Sequence, residues 1–329
     1  MPQATPTKNM VARLLTKEKG WVSGEWISES LGISRAAVAK HISSLRQEGY
    51  LIDSASRRGY MCRIIPDVVD VDLIQKSLTT KFLGRSEWRY LPETMSTNQE
   101  AVMGASEGLP DGSVILAGTQ TTGRGRKGRR WFSPPRSICF SVVLRPSLAL
   151  EKLPWLMIAA TAAVHMTIFS EAAISAQIKW PNDVCINGKK CAGILVEVGL
   201  SAGEPEWGVI GIGLNVNAAA EDFPEDLRDA VTSLFEESGL IGSRNILYAS
   251  LINNLEYFYD LLRQGKEKQV SSYWAKASGL IGENLKIARA SDTIEGCVMG
   301  LNENGRLIVK RPRGKIMTIE SGDIVSLMK

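Results

Sequence analysis

Nine residues, Gly123-Arg124-Gly125-Arg126-Lys127-Gly128-Arg129-Arg130-Trp131, hold five cationic side chains and three glycines and end in an indole. Cations this close repel one another unless an anion sits among them. Glycine lets the backbone approach a ligand closely, and the arginine fork pairs with phosphate or carboxylate. An aromatic just beyond could stack on a base. The segment reads as a clamp for a phosphorylated, nucleotide-bearing ligand; the competing reading is a solvated basic loop. Alone, such a loop should hold no single shape, and an anionic ligand should fix it. Two better-known glycine motifs fail here. Gly123, Gly125 and Gly128 spell a dinucleotide fingerprint, but Ser133-Pro134-Pro135 follows where that motif needs a helix. Gly118 and Gly123 have the spacing of a phosphate-binding loop, but Arg124-Gly125 stands where it needs Lys-Ser/Thr.

Four other segments could carry chemistry. Ser96-Thr97-Asn98 offers hydroxyls and an amide at a strand-to-helix turn, or is a plain helix cap. Lys179-Trp180-Pro181-Asn182-Asp183 brings a lysine and a carboxylate together; Asp183 suits a magnesium ion and Lys179 a phosphate, unless this is a polar turn. Lys190-Cys191-Ala192-Gly193 enters an apolar strand, so Lys190 is a site residue or an edge gatekeeper. Gly211 to Asn217 leaves a buried strand with two glycines and two amides, compatible with a close-lying ligand. Only His41 and His165 are present, and no nucleophile-base pair is apparent. The chemistry indicated is positioning and charge neutralisation, such as attack of a carboxylate on the α-phosphate of ATP.

The chain has 329 residues, 44% of them hydrophobic, enough for two or three domains. Residues 1–65 carry ten Lys/Arg against five Asp/Glu, while the rest carries 29 against 30. A basic end on a neutral body suggests a nucleic-acid-binding module. Five scattered cysteines without a C-x-x-C pair argue for a reducing, cytoplasmic setting and against disulfides or structural zinc. The first residues lack a signal-peptide core, and the longest apolar run, Leu153 to Phe169, is broken by polar residues, so a buried amphipathic helix is expected and no membrane.

Among the elements, Asn9–Lys17 is expected to form a first helix with Met10, Leu14 and Leu15 inward. Ser23 caps a second, Gly32 turns the chain, and Ser34 caps a third from Arg35 to Glu48. Strands around Leu51 and Tyr60 flank a basic hairpin, Ser54 to Arg58. This is a winged helix-turn-helix, with Ser34, Arg35, Ala36, Lys40 and His41 free to read DNA and Arg57 and Arg58 on the wing. A helix-strand alternation follows: helices Val71–Thr79 and Thr97–Glu107, a long helix from Pro154, an Asn187-Gly188 hairpin and a helix from Arg244 capped by Ser243. From Leu280 four short strands fit an SH3-like barrel. The fold class is α+β: a winged helix-turn-helix (1–66), a central mixed-sheet domain (67–279) and an SH3-like C-terminal domain (280–329).

With these motifs in this order, the chain resembles the bifunctional biotin protein ligases and biotin operon repressors of bacteria. The motifs are Gly123–Phe132, Lys179–Asp183, Lys190–Glu197 and Gly211–Asn217, with Ser34–Ile42 similar to the repressor recognition helix. The resemblance implies that biotin and MgATP give biotinyl-5′-AMP, whose biotin passes to a lysine of a biotin carboxyl carrier protein of acetyl-CoA carboxylase. Ser96, Thr97, Asn98, Gln120, Arg124, Gly125, Arg126, Lys190 and Gly193 would contact biotin or the adenylate. Arg129, Trp131, Lys179 and Asn215 would serve the nucleotide and Asp183 the Mg²⁺, with Arg126, Lys190 and Lys179 closest to the reaction. The adenylate-loaded homodimer would bind operator DNA, with biotinyl-5′-AMP as corepressor. The wing departs from the family pattern, which has more glycine. The rival readings are a ligase without regulatory DNA binding, a lipoate-ligase-like acyl ligase, and a plain DNA-binding regulator.

Overall fold

The computed structural model describes residues 7–328 apart from 19, 48–49, 65–66, 147 and 290–291. Three helices begin the chain: α1 (Thr7–Lys17), α2 (Gly24–Leu31) and α3 (Arg35–Gln47). The Ser23 hydroxyl accepts from the amides of Glu25 and Trp26 at 3.2 and 3.5 Å, and Gly32 stops α2 in the left-handed region at φ 62°. Ser34 accepts from Ala37 N–H at 3.1 Å and starts α3. Glu48, expected as the end of α3, lies outside the described residues. Strands β1 (Leu51–Ala55) and β2 (Gly59–Ile64) form the wing, and Val22 adds a short third strand through paired bonds with Tyr60 of 2.7 and 2.8 Å. Val11, Leu15, Ile27, Val38, Ile42 and Leu45 make a core of their own. Met10 is not in it. The inward row of α1 is Val11 and Leu15, one turn apart, which leaves Met10 41% exposed.

The central region runs α4 (Val71–Lys76), β3 (Trp88–Thr94), α5 (Thr97–Ser106), β4 (Val114–Gln120) and β5 (Ile138–Leu144). It continues with α6 (Pro154–Thr167), β6 (Gln177–Lys179), β7 (Asp183–Ile186), β8 (Lys189–Ser201) and β9 (Glu204–Leu214), then α7 (Leu234–Ser238), α8 (Arg244–Arg263) and α9 (Glu267–Ser278). The sheet order is β3-β4-β5-β9-β8-β7-β6, with β3 and β4 parallel and the remaining pairs antiparallel. α4 stops before Thr79 because Ser77 N–H turns back onto Ile74 and Thr79 N–H is taken by Asn253. Asn187 and Gly188 have φ of 50° and 80°, the pair of left-handed residues a type I′ hairpin needs. Ser243 stands before α8 but makes no capping bond.

Strand periodicity explains how the two faces of the sheet differ. Phe140, Val142, Leu144, Ile210 and Ile212 join the core built with α6 and α8. Ile115, Val143 and Val209 alternate to the other face and meet Ala101 and Ala105 of α5. α6 is not amphipathic as expected: ten of its residues are buried, from Trp155 to Thr167, because the sheet, α8 and α9 pack around it. With its flanking turns (150–172) it is long and apolar enough to cross a membrane, yet 61% of its most apolar window is buried inside the protein.

Five C-terminal strands follow: β10 (Asn284–Ala288), β11 (Thr293–Leu301), β12 (Leu307–Lys310), β13 (Ile316–Ile319) and β14 (Asp323–Met328). They form an antiparallel sheet of order β13-β12-β11-β10-β14, so β14 is a strand beyond the expected four. Leu285, Ile287, Val298 and Val309 pack into the same apolar core as the central region.

Candidate active site

α5 covers only part of its face of the sheet. Beyond its first turn lies a cavity of about 280 Å³. Its floor is kept low by glycine at alternate positions: Gly193 on β8 faces Gly213 on β9, and Leu195 faces Gly211. A Cβ on Gly213 would lie 2.5 Å from the Trp131 ring, and one on Gly211 would overlap the Asn98 amide. Period two thus opens this face for a ligand, while the other face of the same strands stays packed with Ile194 and Ile212.

The cavity has two chemically different ends. One is neutral and rich in hydrogen bonds. Ser96, Thr97 and Asn98 at the start of α5 are 2–4% exposed. Ser96 makes no capping bond, which counts against the plain-cap reading. Gln120 Oε1 accepts from Thr97 N–H at 2.8 Å and lies 3.1 Å from its hydroxyl, and Gln120 Nε2 donates to Ser133 at 3.1 Å. The Ser141 hydroxyl lies 2.9 Å from both Thr97 Oγ1 and Asn98 Oδ1. Asn98 Nδ2 donates to Glu197 at 2.6 Å.

The other end is cationic. Residues 123–131 form a narrow hairpin, closed by Gly125 N–H to Arg129 O at 2.7 Å and Trp131 N–H to Gly123 O at 2.8 Å. Lys127 and Gly128 turn it with φ of 56° and 73°. The anion that its charges call for is supplied by the chain itself. Asp323 at the start of β14 accepts from Arg129, lies 3.3 Å from Lys127 Nζ and 4.0 Å from Arg126. This carboxylate, roughly 200 residues away in sequence, supplies a counter-charge that the segment itself lacks. Partial burial raises the Asp323 pKa, but hydrogen bonds from Arg129 and Lys127 outweigh it and hold the group below its ordinary value. Arg126 donates to Asn182 Oδ1 at 3.1 Å. Asn182 is itself held by Nδ2 to Ile194 O at 2.9 Å.

Lys190 and Asp183 pair at 2.7 Å, with Lys190 Nζ 5.3 Å from the centre of the Trp131 ring. Lys190 is not an edge gatekeeper. Its backbone pairs with Ala230 and Thr232 at 2.9 Å each, which covers that side of β8. Lys179 and Asp183 are register partners across β6 and β7, so the segment between them is a turn at the cavity rim.

The cavity therefore collects Ser96, Thr97, Asn98, Gln120, Arg124, Gly125, Arg126, Arg129, Trp131, Lys179, Asp183, Lys190 and Gly193. It does not collect Asn215. That residue is 2% exposed, and its Nδ2 is bonded to Thr232 O at 2.9 Å, tying the end of β9 to the segment before α7. Asn182, Ser141, Glu197 and Asp323 were missed. Asn182 and Glu197 stood inside recognised motifs, but Ser141 and Asp323 become polar neighbours only through the tertiary fold. On α3, Ser34, Arg35, Ala36 and Lys40 are exposed and His41 is half-buried. Arg57 and Arg58 are exposed on the wing, where Arg58 stacks over Trp21 at 4.7 Å.

Three family models match the chain: an HTH domain over residues 7–61, the biotin/lipoate A/B protein ligase family over 90–215, and a biotin protein ligase C-terminal domain over 280–326. The bifunctional ligase/repressor BirA of Bacillus subtilis is 34% identical over 98% of this chain and 99% of its own. This chain belongs to the bifunctional biotin protein ligase family. The Escherichia coli protein of the same description is 31% identical over 88% of both chains. Among solved structures, the biotin protein ligase of Aquifex aeolicus in complex with biotin and ATP superposes with a TM-score of 0.63 at 28% identity. It covers 74% of this chain and 99% of that one.

Proposed function

We infer that this chain is an ATP-dependent biotin protein ligase and a biotin-responsive transcriptional repressor. The carrying observation is a cavity with an amide-and-hydroxyl end and a cationic end. Biotin has matching chemistry: a cyclic urea at one end of the molecule and a carboxylate at the other. In the first step a biotin carboxylate oxygen attacks the α-phosphorus of ATP and pyrophosphate leaves. In the second, a lysine amine of a biotin carboxyl carrier domain attacks the acyl carbon, AMP leaves and an amide forms.

Ser96, Thr97, Asn98 and Gln120 would hold the urea. Arg124, Arg126 and Lys190 would face the carboxylate and the reacting phosphate, where donors placed for developing charge lower the barrier most. Gly125 and Gly193 leave room for the ligand. Arg129 and Lys179 would meet the nucleotide phosphates, and Trp131 would stack on adenine. Asn215 would act indirectly, by fixing the segment before α7. A magnesium ion fits the donor set: Mg²⁺ is commonly held by one carboxylate plus substrate phosphates. Asp183 is that carboxylate, half-buried beside the cations, and the ion would add positive charge against the triphosphate. Among the described residues no cluster of three or more metal-binding side chains exists, so a site built wholly from protein is not the reading.

The repressor half rests on α3 and the wing. As a homodimer loaded with biotinyl-5′-AMP, the chain would present two recognition helices to operator half-sites. The domain reading is 1–66 for DNA, 67–279 for catalysis and 280–329, SH3-like, as a cover that also supplies Asp323. The five cysteines are all free, which suits the cytoplasm. Transfer of labelled biotin to a carrier domain, with lipoate as control, tests the ligase; lipoate transfer instead would overturn it. Titration of the organism's biotin operator with and without biotin and ATP tests the repressor.

A further inference from the structure

Glu197 lies outside the cavity, yet it fixes the orientation of a residue inside it. Its carboxylate accepts from Asn98 Nδ2 at 2.6 Å, and among the described residues it has no ion pair. We propose that Glu197 is a positioning residue for biotin selectivity, acting through Asn98 on recognition of the urea ring; this rests on the biotin reading above.

A carboxylate oxygen can only accept, so Asn98 must turn Nδ2 toward Glu197. Its Oδ1 then faces Ser141, whose single hydroxyl proton is donated there at 2.9 Å. With that proton used, the Thr97 hydroxyl 2.9 Å away has no donor to meet at Ser141 and must itself donate, to Ser141 or to Gln120 Oε1. Gln120 is pinned separately, because Oε1 accepts the Thr97 backbone N–H and Nε2 faces Ser133. Each amide along this wall has one orientation, and that of Asn98 is set by the wall's charged neighbour, Glu197. A cyclic urea offers one acceptor between two donors, so it fits only a wall whose donors and acceptors keep their places. A site built to pair such groups rejects an analogue that mismatches them.

Gly211 is part of the same device. A side chain there would overlap the Asn98 amide, with Ser141 Oγ 3.2 Å away. The glycine thus permits Asn98 to lie flat between Glu197 and Ser141. Glutamine at 197 would keep the volume and the strand pairing with Val209, but it could either donate or accept. Asn98 could then take either orientation.

The test uses the full-length chain and steady-state adenylation with biotin and with 2-iminobiotin, in which a guanidine replaces the urea. Glu197→Gln should raise the biotin KM about tenfold, the difference between a charge-assisted and a neutral hydrogen bond, with kcat within about threefold. Selectivity for biotin over 2-iminobiotin should fall by a similar factor. Ser141→Ala removes the other partner that orients Asn98 and should shift the same two readouts in the same direction, more weakly. That variant also serves if Glu197→Gln does not fold. Unchanged biotin KM and selectivity in both variants would overturn the proposal. So would a loss of kcat or of thermal stability with selectivity intact, because that is a purely structural role. If the wild-type chain does not adenylate biotin, the functional reading fails instead, and the two failures are told apart by that single control.

Discussion

Asp323 shows how one residue can settle a question that composition raises. Five cations in nine residues need an anion, and the protein places its own carboxylate among three of them. These contacts are half-exposed, so they give shape more than stability. Asp323→Asn should loosen the hairpin, and trypsin should cut faster after Arg124 to Arg130. Biotin with ATP should restore protection, because adenylate phosphate replaces the lost charge. The pH sign follows from the lowered pKa of Asp323. Its contribution is complete above the ordinary aspartate value and is lost as pH falls through the lowered one. Hydrogen-exchange protection of the hairpin, corrected for intrinsic rates, should therefore be flat from pH 8 to about 5 and fall only in stronger acid. A decline near neutral pH would contradict this. Arg126 is the second residue to test. It lines the cavity and is held by Asn182 at 3.1 Å. Arg126→Ala should slow adenylation by an equivalent of about 2–4 kcal/mol if it donates to the transition state. Asn182→Ala should produce a smaller loss in the same assay.

At the scale of elements, what could be read from the sequence depended on whether a local signal existed. The second and third helices announced themselves through Ser23, Gly32 and Ser34, and the β7–β8 hairpin through Asn187-Gly188. α9 gave no such signal: only Val270, Trp274 and Ser278 on it are buried, a thin row among polar residues. β14, Asp323–Met328, carries its apolar residues in adjacent pairs rather than in alternation, so it lacked the strand period. The wing shows a different limit. Arg57 takes a left-handed φ of 65°, where a glycine would sit without strain. The hairpin was legible there, but its glycine-poor turn was not explained by it. The cavity-lining residues were largely legible because they cluster in short segments, whereas Ser141 and Asp323 have no local context, and Glu197 closes a recognised motif but meets Asn98 only through the fold. Glu256 on α8 is a structural counterpart. It is 5% exposed, and its carboxylate accepts the backbone N–H groups of Lys81, Phe82 and Leu83. Glu256→Ala leaves three backbone donors, that of Leu83 buried, without their partner and should cost about 1.5–3 kcal/mol. Denaturant unfolding measures the loss, and adenylation per folded molecule should be unchanged because the site lies elsewhere. A stability change below about 0.5 kcal/mol would show that water replaces the carboxylate.

For the whole molecule the question is whether ligand and DNA are felt by one another. The N-terminal helices have their own core, and none of their residues lines the cavity. Physical continuity nonetheless exists. Lys190 pairs through its backbone with Ala230 and Thr232, and Leu234 N–H bonds Asn215 O at 3.1 Å. The same stretch of chain continues through α7 to Leu240 and Ile241, which line a small cleft together with Ala12, Thr16 and Tyr50 of the N-terminal domain. If adenylate binding fixes the Lys190 side of this stretch, the cleft side is biased as well, and the coupling is reciprocal. Operator binding should then be tight and salt-dependent with biotin and ATP present, and weaker by about 5- to 150-fold without them, the usual range of coupling energies. Arg35→Ala and Lys40→Ala should weaken operator binding and flatten its salt dependence without affecting adenylation. Removing residues 1–66 should abolish operator binding and leave biotin transfer in place, because the cavity is complete without them. Sedimentation and DNA titration, each with and without ligand, decide the matter. If neither dimerisation nor operator affinity changes with ligand, the chain is a ligase whose DNA-binding domain does not respond to biotin.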